Sequence, residues 1–136
     1  MRSAAIDARR AGAGWLTRLL VFCWLLWSTY ADAESVQILV QDSPLAGSQY
    51  HAVAEVWPQL KVGDRLTLVR EADNRHDRRA VRVDWNGHTL GYVPRAENRA
   101  VAAALDRGER LEARITALRD ERDPWRRIAF AVYLTL

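Results

Sequence analysis

Leu68-Val69-Arg70-Glu71-Ala72-Asp73-Asn74-Arg75-His76-Asp77-Arg78-Arg79-Ala80-Val81-Arg82-Val83 reads as one strand running into a dense polar turn and out into a second strand. Ten of these sixteen residues carry charged, amide or imidazole groups, bracketed by Leu68 and Val69 on one side and Val81 and Val83 on the other. A polar cluster tethered at both ends to core residues has a fixed shape. Asp73, Asn74 and Asp77 are residue types that fold back onto nearby backbone N–H groups as Asx-turns. Two readings are open: a solvated connection between strands, or a rigid loop whose acceptors and neighbouring arginines hold a polar ligand.

On the N-terminal side, Val62-Gly63-Asp64 makes a turn, and Arg65 to Arg70 alternates as a half-buried strand does. On the C-terminal side, Val81 to Trp85 alternates and meets His88 to Val93 across Asn86-Gly87. That pair predicts a hairpin, because both central positions of a type I′ turn need φ > 0. Further out, Val36 to Gln41 reads as a first strand ended by the turn formers Asp42-Ser43-Pro44-Leu45-Ala46-Gly47. Ala52, Val53, Val56, Trp57 and Leu60 have the spacing of one helical face and predict a helical turn or two. Pro94 suits a first helical position, with Ala96, Ala100, Val101, Ala104 and Leu105 on one side of the helix and Gly108 ending it. Leu111 to Leu118 and Ile128 to Leu136 supply the last two strands, joined by a charged turn through Asp123-Pro124. Six short strands and few helices predict a mainly β domain, a small barrel or strongly curved sheet with a helix closing one end.

Residues 1–33 have the layout of a secretory signal. Arg2, Arg9, Arg10 and Arg18 precede the apolar run Leu19 to Trp27, and Ala31-Asp32-Ala33 offers a small-residue cleavage site. The run is short against the ~20 residues of a spanning helix, so cleavage after Ala33 is expected, with an uncleaved membrane anchor as the alternative. Arg9-Arg10 is followed by Ala-Gly-Ala-Gly, unlike a twin-arginine signal, and Cys23 is read as an apolar residue of the signal. Four of the twenty basic and two of the seventeen acidic residues lie in this segment, which leaves residues 34–136 with a net charge near +1. A whole-molecule field that attracts nucleic acid or anionic lipid is thereby excluded, and such binding has to come from a local patch. The mature segment has no cysteine, hence neither a disulfide nor a thiolate metal site. Its roughly 100 residues suffice for one core.

Four stretches in order carry a resemblance: Ser43-Pro44-Leu45-Ala46-Gly47-Ser48-Gln49-Tyr50-His51, Gly63-Asp64-Arg65-Leu66-Thr67-Leu68-Val69-Arg70-Glu71, Asp73-Asn74-Arg75-His76-Asp77 with Ala80-Val81, and Gly91-Tyr92-Val93-Pro94-Arg95. From about Val36 to Leu136 the chain resembles the HIRAN domain, most specifically in Arg-Glu-x-x-Asn-x-x-Asp and Gly-Tyr-Val-Pro. The resemblance implies a six-stranded OB-like β-barrel with one or two short helices. It also implies a module that occurs beside DNA helicase-translocases or alone in bacteria, and that in eukaryotic members captures the 3′ end of single-stranded DNA. It places Tyr50 and His51 against the terminal bases, Asn74 and Asp77 at the 3′-hydroxyl and its sugar with His76 beside them, Arg95 near a phosphate, and Trp125 at a late base-contacting aromatic position. The chain departs from the eukaryotic pattern at Gln49, where an arginine would contact phosphate, at His51 and His76, where tyrosines stand, and at Arg75, which replaces a proline.

The chemistry of end capture follows from the residues themselves. A free 3′-hydroxyl is a donor that internal nucleotides lack, and a carboxylate such as Asp77 accepts from it while repelling a 3′-phosphate. Tyr50, His51 and Trp125 offer stacking faces, each worth about 1–3 kcal/mol per base, and Arg95 with Arg70, Arg78 or Arg79 offers positive charge. Turn capping is the competing role for Asn74 and Asp77, core packing against Trp57 is the competing role for Tyr50, and Trp57 and Trp85 are expected to be structural. A metal site at His51, His76 and Asp77 has poor ligand spacing. Walker, Gly-x-Ser-x-Gly and His-Glu-x-x-His motifs are absent from the sequence, so neither a cofactor nor catalysis is expected. The function expected is non-enzymatic binding of single-stranded DNA ends. The alternative is an exported envelope adaptor that uses the same barrel for a peptide or glycan. The export signal and a DNA-end reader point to different compartments: either the domain works outside the inner membrane, or translation starts downstream and the domain is cytoplasmic. Export is the expected outcome.

Overall fold

The computed structural model describes residues 34–136, where six strands form one antiparallel sheet: β1 (Gln37–Pro44), β2 (Arg65–Glu71), β3 (Ala80–Trp85), β4 (His88–Tyr92), β5 (Leu111–Leu118) and β6 (Ile128–Thr135). The spatial order is β1-β6-β5-β2-β3-β4. Three helices accompany them, α1 (Val53–Val56), α2 (Asn98–Asp106) and α3 (Pro124–Arg127), with 3-10 turns at Ser48–Tyr50 and Trp57–Gln59. The signal segment expected over residues 1–33 lies outside the described residues.

Curvature comes from a shared strand and three irregularities. β2 pairs with β5 through Arg65 and Leu66, then with β3 through Thr67 to Glu71, so it passes from one half of the sheet to the other. Register shifts between Leu39 and Gln41, Val83 and Asp84, and Ile115 and Ala117 each add local twist. The sheet then closes on itself. Ala46, just past β1, and Tyr92, at the end of β4, exchange two backbone hydrogen bonds of 2.9 Å each, which joins the two outermost strands of the order into a barrel. Gly91 makes this seam passable. A Cβ there would collide with the Ala46 carbonyl oxygen and lie 3.1 Å from Leu45 Cγ.

Alternation fills the interior. Val81, Val83 and Trp85 of β3, Ala113 and Ile115 of β5, and Phe130 and Val132 of β6 point inward with Leu45, Leu90 and Val101. Each large apolar side chain buried in this way contributes about 1.5–3 kcal/mol. Trp85 is structural as expected, its indole N–H donating to Asp64 Oδ2 at 3.1 Å. The hairpin turn is of the expected kind, with φ 44° at Asn86 and 80° at Gly87.

Two elements differ from the sequence reading. β1 runs on through Asp42, Ser43 and Pro44, residues that locally read as a loop. Pro44 is tolerated because Leu45 N donates to Ile128 O, which turns the neighbouring Pro44 nitrogen away from β6. The second difference is that α2 starts at Asn98, since Pro94 is still held by the sheet through Val93 N to Val81 O and opens only a turn, Glu97 N to Pro94 O. Its buried face is therefore Asn98, Val101, Ala102 and Ala104, while Ala96 and Ala100 face solvent. Gly108 ends it in a Schellman motif, with Glu109 N on Ala104 O, Gly108 N on Leu105 O and φ 74°.

Candidate nucleic-acid interface

The polar turn between β2 and β3 is fastened first by its own side chains. Asn74 Oδ1 accepts from His76 N at 2.9 Å and Asp77 N at 3.2 Å, and Asp77 Oδ1 accepts from Arg79 N at 2.9 Å. The Asx-turn role is real. A second layer lies on the outer face of β2, β3 and β4, where Asn74 Nδ2 donates to Glu71 Oε1, which also accepts from the Tyr92 hydroxyl at 3.0 Å, while Arg82 donates to Glu71 Oε2 at 2.9 Å. Buried Asn98, at the start of α2, donates to Asp77 Oδ2 at 2.6 Å.

These bonds set the protonation states. Glu71 is pulled up by partial burial, but hydrogen bonds from Asn74, Tyr92 and Arg82 together outweigh this and leave its pKa below the ordinary 4.5. For Asp77 the Arg79 backbone N–H is the largest influence. With Asn98 and the charges of Arg95 and Arg79 it overcomes the cost of desolvation, and the pKa falls below 3.8. Tyr92 is pushed up, by burial first and then by donating to the Glu71 carboxylate, so it remains a neutral phenol.

Fastening does not consume the site. A concavity of about 300 Å³ opens beside the turn, lined by Asn74, His76, Asp77 and Arg95 together with Tyr92, Ala46, Ala80 and Val93. It sits on the barrel seam, since Ala46 and Tyr92 form the closing bridge. Each Asp77 carboxylate oxygen accepts one bond from within the protein, and a carboxylate has about four lone-pair sites, so acceptor capacity remains. His76 and Arg95 are exposed at the rim.

Four of the seven residues singled out from the sequence thus meet in one place, and three do not line it. Tyr50 stands 81% exposed on its 3-10 turn and does not pack against Trp57. His51 faces a neighbouring groove, its ring 5.6 Å from Tyr92 and tilted by 53°. Trp125, within α3, lines a different depression with Arg119 and Arg126. Arg70 is not available as a phosphate ligand, because it bridges to Asp106 of α2 and to the Ala80 carbonyl. Sequence reasoning missed Glu71, Arg82, Tyr92 and Asn98. Of these, Tyr92 and Glu71 lie inside the quoted motifs and offered a signal, whereas Asn98 looked like any helix-surface amide. Among the described residues no group of three or more His, Cys, Asp or Glu side chains comes together as a metal site.

Fold and site define a small antiparallel OB-like barrel that carries a concavity, edged by the polar turn, where its sheet closes. The HIRAN domain family model matches residues 38–136, and the chain belongs to that family. Among solved structures, a protein from Lactobacillus plantarum is similar at 25% identity with a TM-score of 0.66, over 74% of this chain and 97% of that one. The HIRAN domain of human HLTF is similar in fold at 17% identity with a TM-score of 0.53, over 73% of this chain and 77% of that one. No curated protein matches the chain.

Proposed function

We propose that this protein is a non-enzymatic nucleic-acid-binding module that takes the 3′-hydroxyl end of single-stranded DNA into the seam concavity. The observation that carries the reading is the meeting of Asn74, His76, Asp77 and Arg95 around one cavity with an ionised, only partly saturated carboxylate at its wall. Membership of the HIRAN family supports it. In this reading Asp77 accepts the terminal hydroxyl proton, Asn74 and His76 hold the sugar, and Arg95 neutralises the adjoining phosphate. The last bases stack on His51, Tyr92 and exposed Tyr50, and Trp125 meets a base further from the end. A 3′-phosphate would set two negative groups against each other and is rejected.

Fluorescence anisotropy with short single strands that end in 3′-hydroxyl or 3′-phosphate tests this. Preference for the hydroxyl end by about tenfold or more is expected, from the ~1.5–3 kcal/mol of a hydrogen bond to a charged group; equal affinity, or no binding, rejects it. We further propose that residues 1–33 direct export, so that the native protein begins at Glu34. N-terminal sequencing of the protein from fractionated cells tests that, and an intact N-terminus in the cytoplasmic fraction rejects it.

A further inference from the structure

Across the His51 and Tyr92 rings from the seam concavity lies a second groove of about 300 Å³, with Ser48, Gln49 and His51 on one wall and Arg122, Pro124 and Arg127 on the other. The Ser48 hydroxyl donates to the Pro124 carbonyl at 3.4 Å and ties the walls together. None of the lining residues is acidic. The carboxylates of the same loop are engaged elsewhere: Asp123 Oδ1 accepts from Trp125 N, and Glu121 pairs with Arg126 at 3.1 Å. Asp120, 94% exposed, reaches Arg127 only at 3.9 Å. Arg127 is held in place by the Trp57 ring, 4.3 Å below its guanidinium carbon. Arg122 is exposed and forms no ion pair among the described residues.

We infer that this groove is a phosphodiester-binding subsite, in which Arg122 and Arg127 neutralise the backbone upstream of the terminal nucleotide. The inference rests on the reading of the seam concavity as the end site, because the shared His51–Tyr92 wall is what makes the two depressions one track. Gln49 brings no charge to its wall of the groove, and the two arginines opposite supply it. A planar guanidinium fixed on an aromatic face loses little freedom on binding and matches phosphate geometry.

The test is the salt dependence of binding by the whole protein to 3′-hydroxyl oligothymidylates of two and six nucleotides. Arg122→Gln, a surface change, is expected to weaken hexamer binding about three- to tenfold at low salt and to lower the slope of log K against log salt by ~0.7, one phosphate's share for a single strand. Dimer binding is expected to stay as in the wild type, and Arg122→Lys to restore most of the slope. An unchanged hexamer slope with the 3′-hydroxyl preference intact overturns the subsite and leaves the end site standing. A reduced slope in a protein with no end preference retains the phosphate groove and rejects the end site. Equal weakening of dimer and hexamer overturns the upstream placement, and absence of wild-type binding to either strand overturns both.

Discussion

The two charged loops on this barrel are built on opposite principles. Between β2 and β3, Asn74 and Asp77 each accept short bonds from their own turn, and Glu71 and Asn98 brace them from beneath. Between β5 and β6, the ion pairs are few and loose, with Arg126 69% exposed against Glu121 and Arg127 3.9 Å from Asp120. The first loop has fixed acceptors and suits recognition of one particular group. The second offers positive charge that its own carboxylates barely neutralise, from Arg127 on the Trp57 ring and from Arg122, unpaired among the described residues, which suits a repeating backbone. Specificity and affinity are thus expected to separate along the molecule, the carboxylate loop deciding which end is bound and the arginine loop how firmly and with what salt dependence.

The largest effect is expected at the frame that both loops share. Gly91→Ala forces a Cβ into the Ala46 backbone at the closing bridge, and denaturation should report a loss on the order of 3–5 kcal/mol, together with loss of binding. Gly87→Ala, strained only by its φ of 80° with open space around it, should cost about 1 kcal/mol. Similar losses at the two glycines would break the claim that the seam is the keystone.

Next comes Asp77→Asn, which should abolish the discrimination between 3′-hydroxyl and 3′-phosphate ends while leaving the salt slope untouched, measured by anisotropy across a salt series. The fold should tolerate the change, because Asn98, whose Nδ2 now donates to Asp77 and whose Oδ1 has no partner among the described residues, can flip its amide to accept from the new one. A change in slope without a change in end preference would merge the two loops into one electrostatic surface.

Asn98→Asp sharpens the contrast further. It sets a second carboxyl against Asp77 Oδ2, where the amide now sits at 2.6 Å, and like charges raise the pKa of such a pair. The acid limb of end binding should move up by about one unit or more, with hexamer salt dependence at pH 8 unchanged. A pH profile identical to wild type would remove Asn98 from the site.

The smallest expected effect concerns stability. Glu71 has a folded pKa below 4.5, so its stabilising contribution is complete above that value and is lost as pH falls through the depressed folded pKa. Glu71→Gln should therefore flatten the acid side of the stability curve below about pH 4.5 and lower stability by about 1–2 kcal/mol near neutrality. Thermal melts across pH check this, and equal acid sensitivity of both proteins contradicts it.

Much of the barrel could be read in advance because its determinants are local. Alternation at Val81, Val83 and Trp85 and the Asn86-Gly87 pair need no knowledge of distant residues, and both appear as expected. The failures are non-local. β1 extends through Pro44 only because β6 lies beside it, and α2 starts as late as Asn98 because Val93 is still bonded to Val81 of β3. The same holds at the site. The turn formers announced themselves, but the cluster that supports them, Glu71 with Tyr92 and Arg82, exists only once β2, β3 and β4 pair side by side. Tyr50 looked equally able to be core or surface from its neighbours, and its 81% exposure follows from the path of the 3-10 turn.

Where a DNA end sits on the barrel is read directly by amide chemical-shift mapping of the isotopically labelled protein during titration with a 3′-hydroxyl trinucleotide. The largest shifts are expected at Asn74 to Arg79 and Tyr92 to Arg95, to be lost when the same trinucleotide carries a 3′-phosphate. Shifts confined to Arg119–Arg127 and identical for the two ends would contradict an end site at the seam.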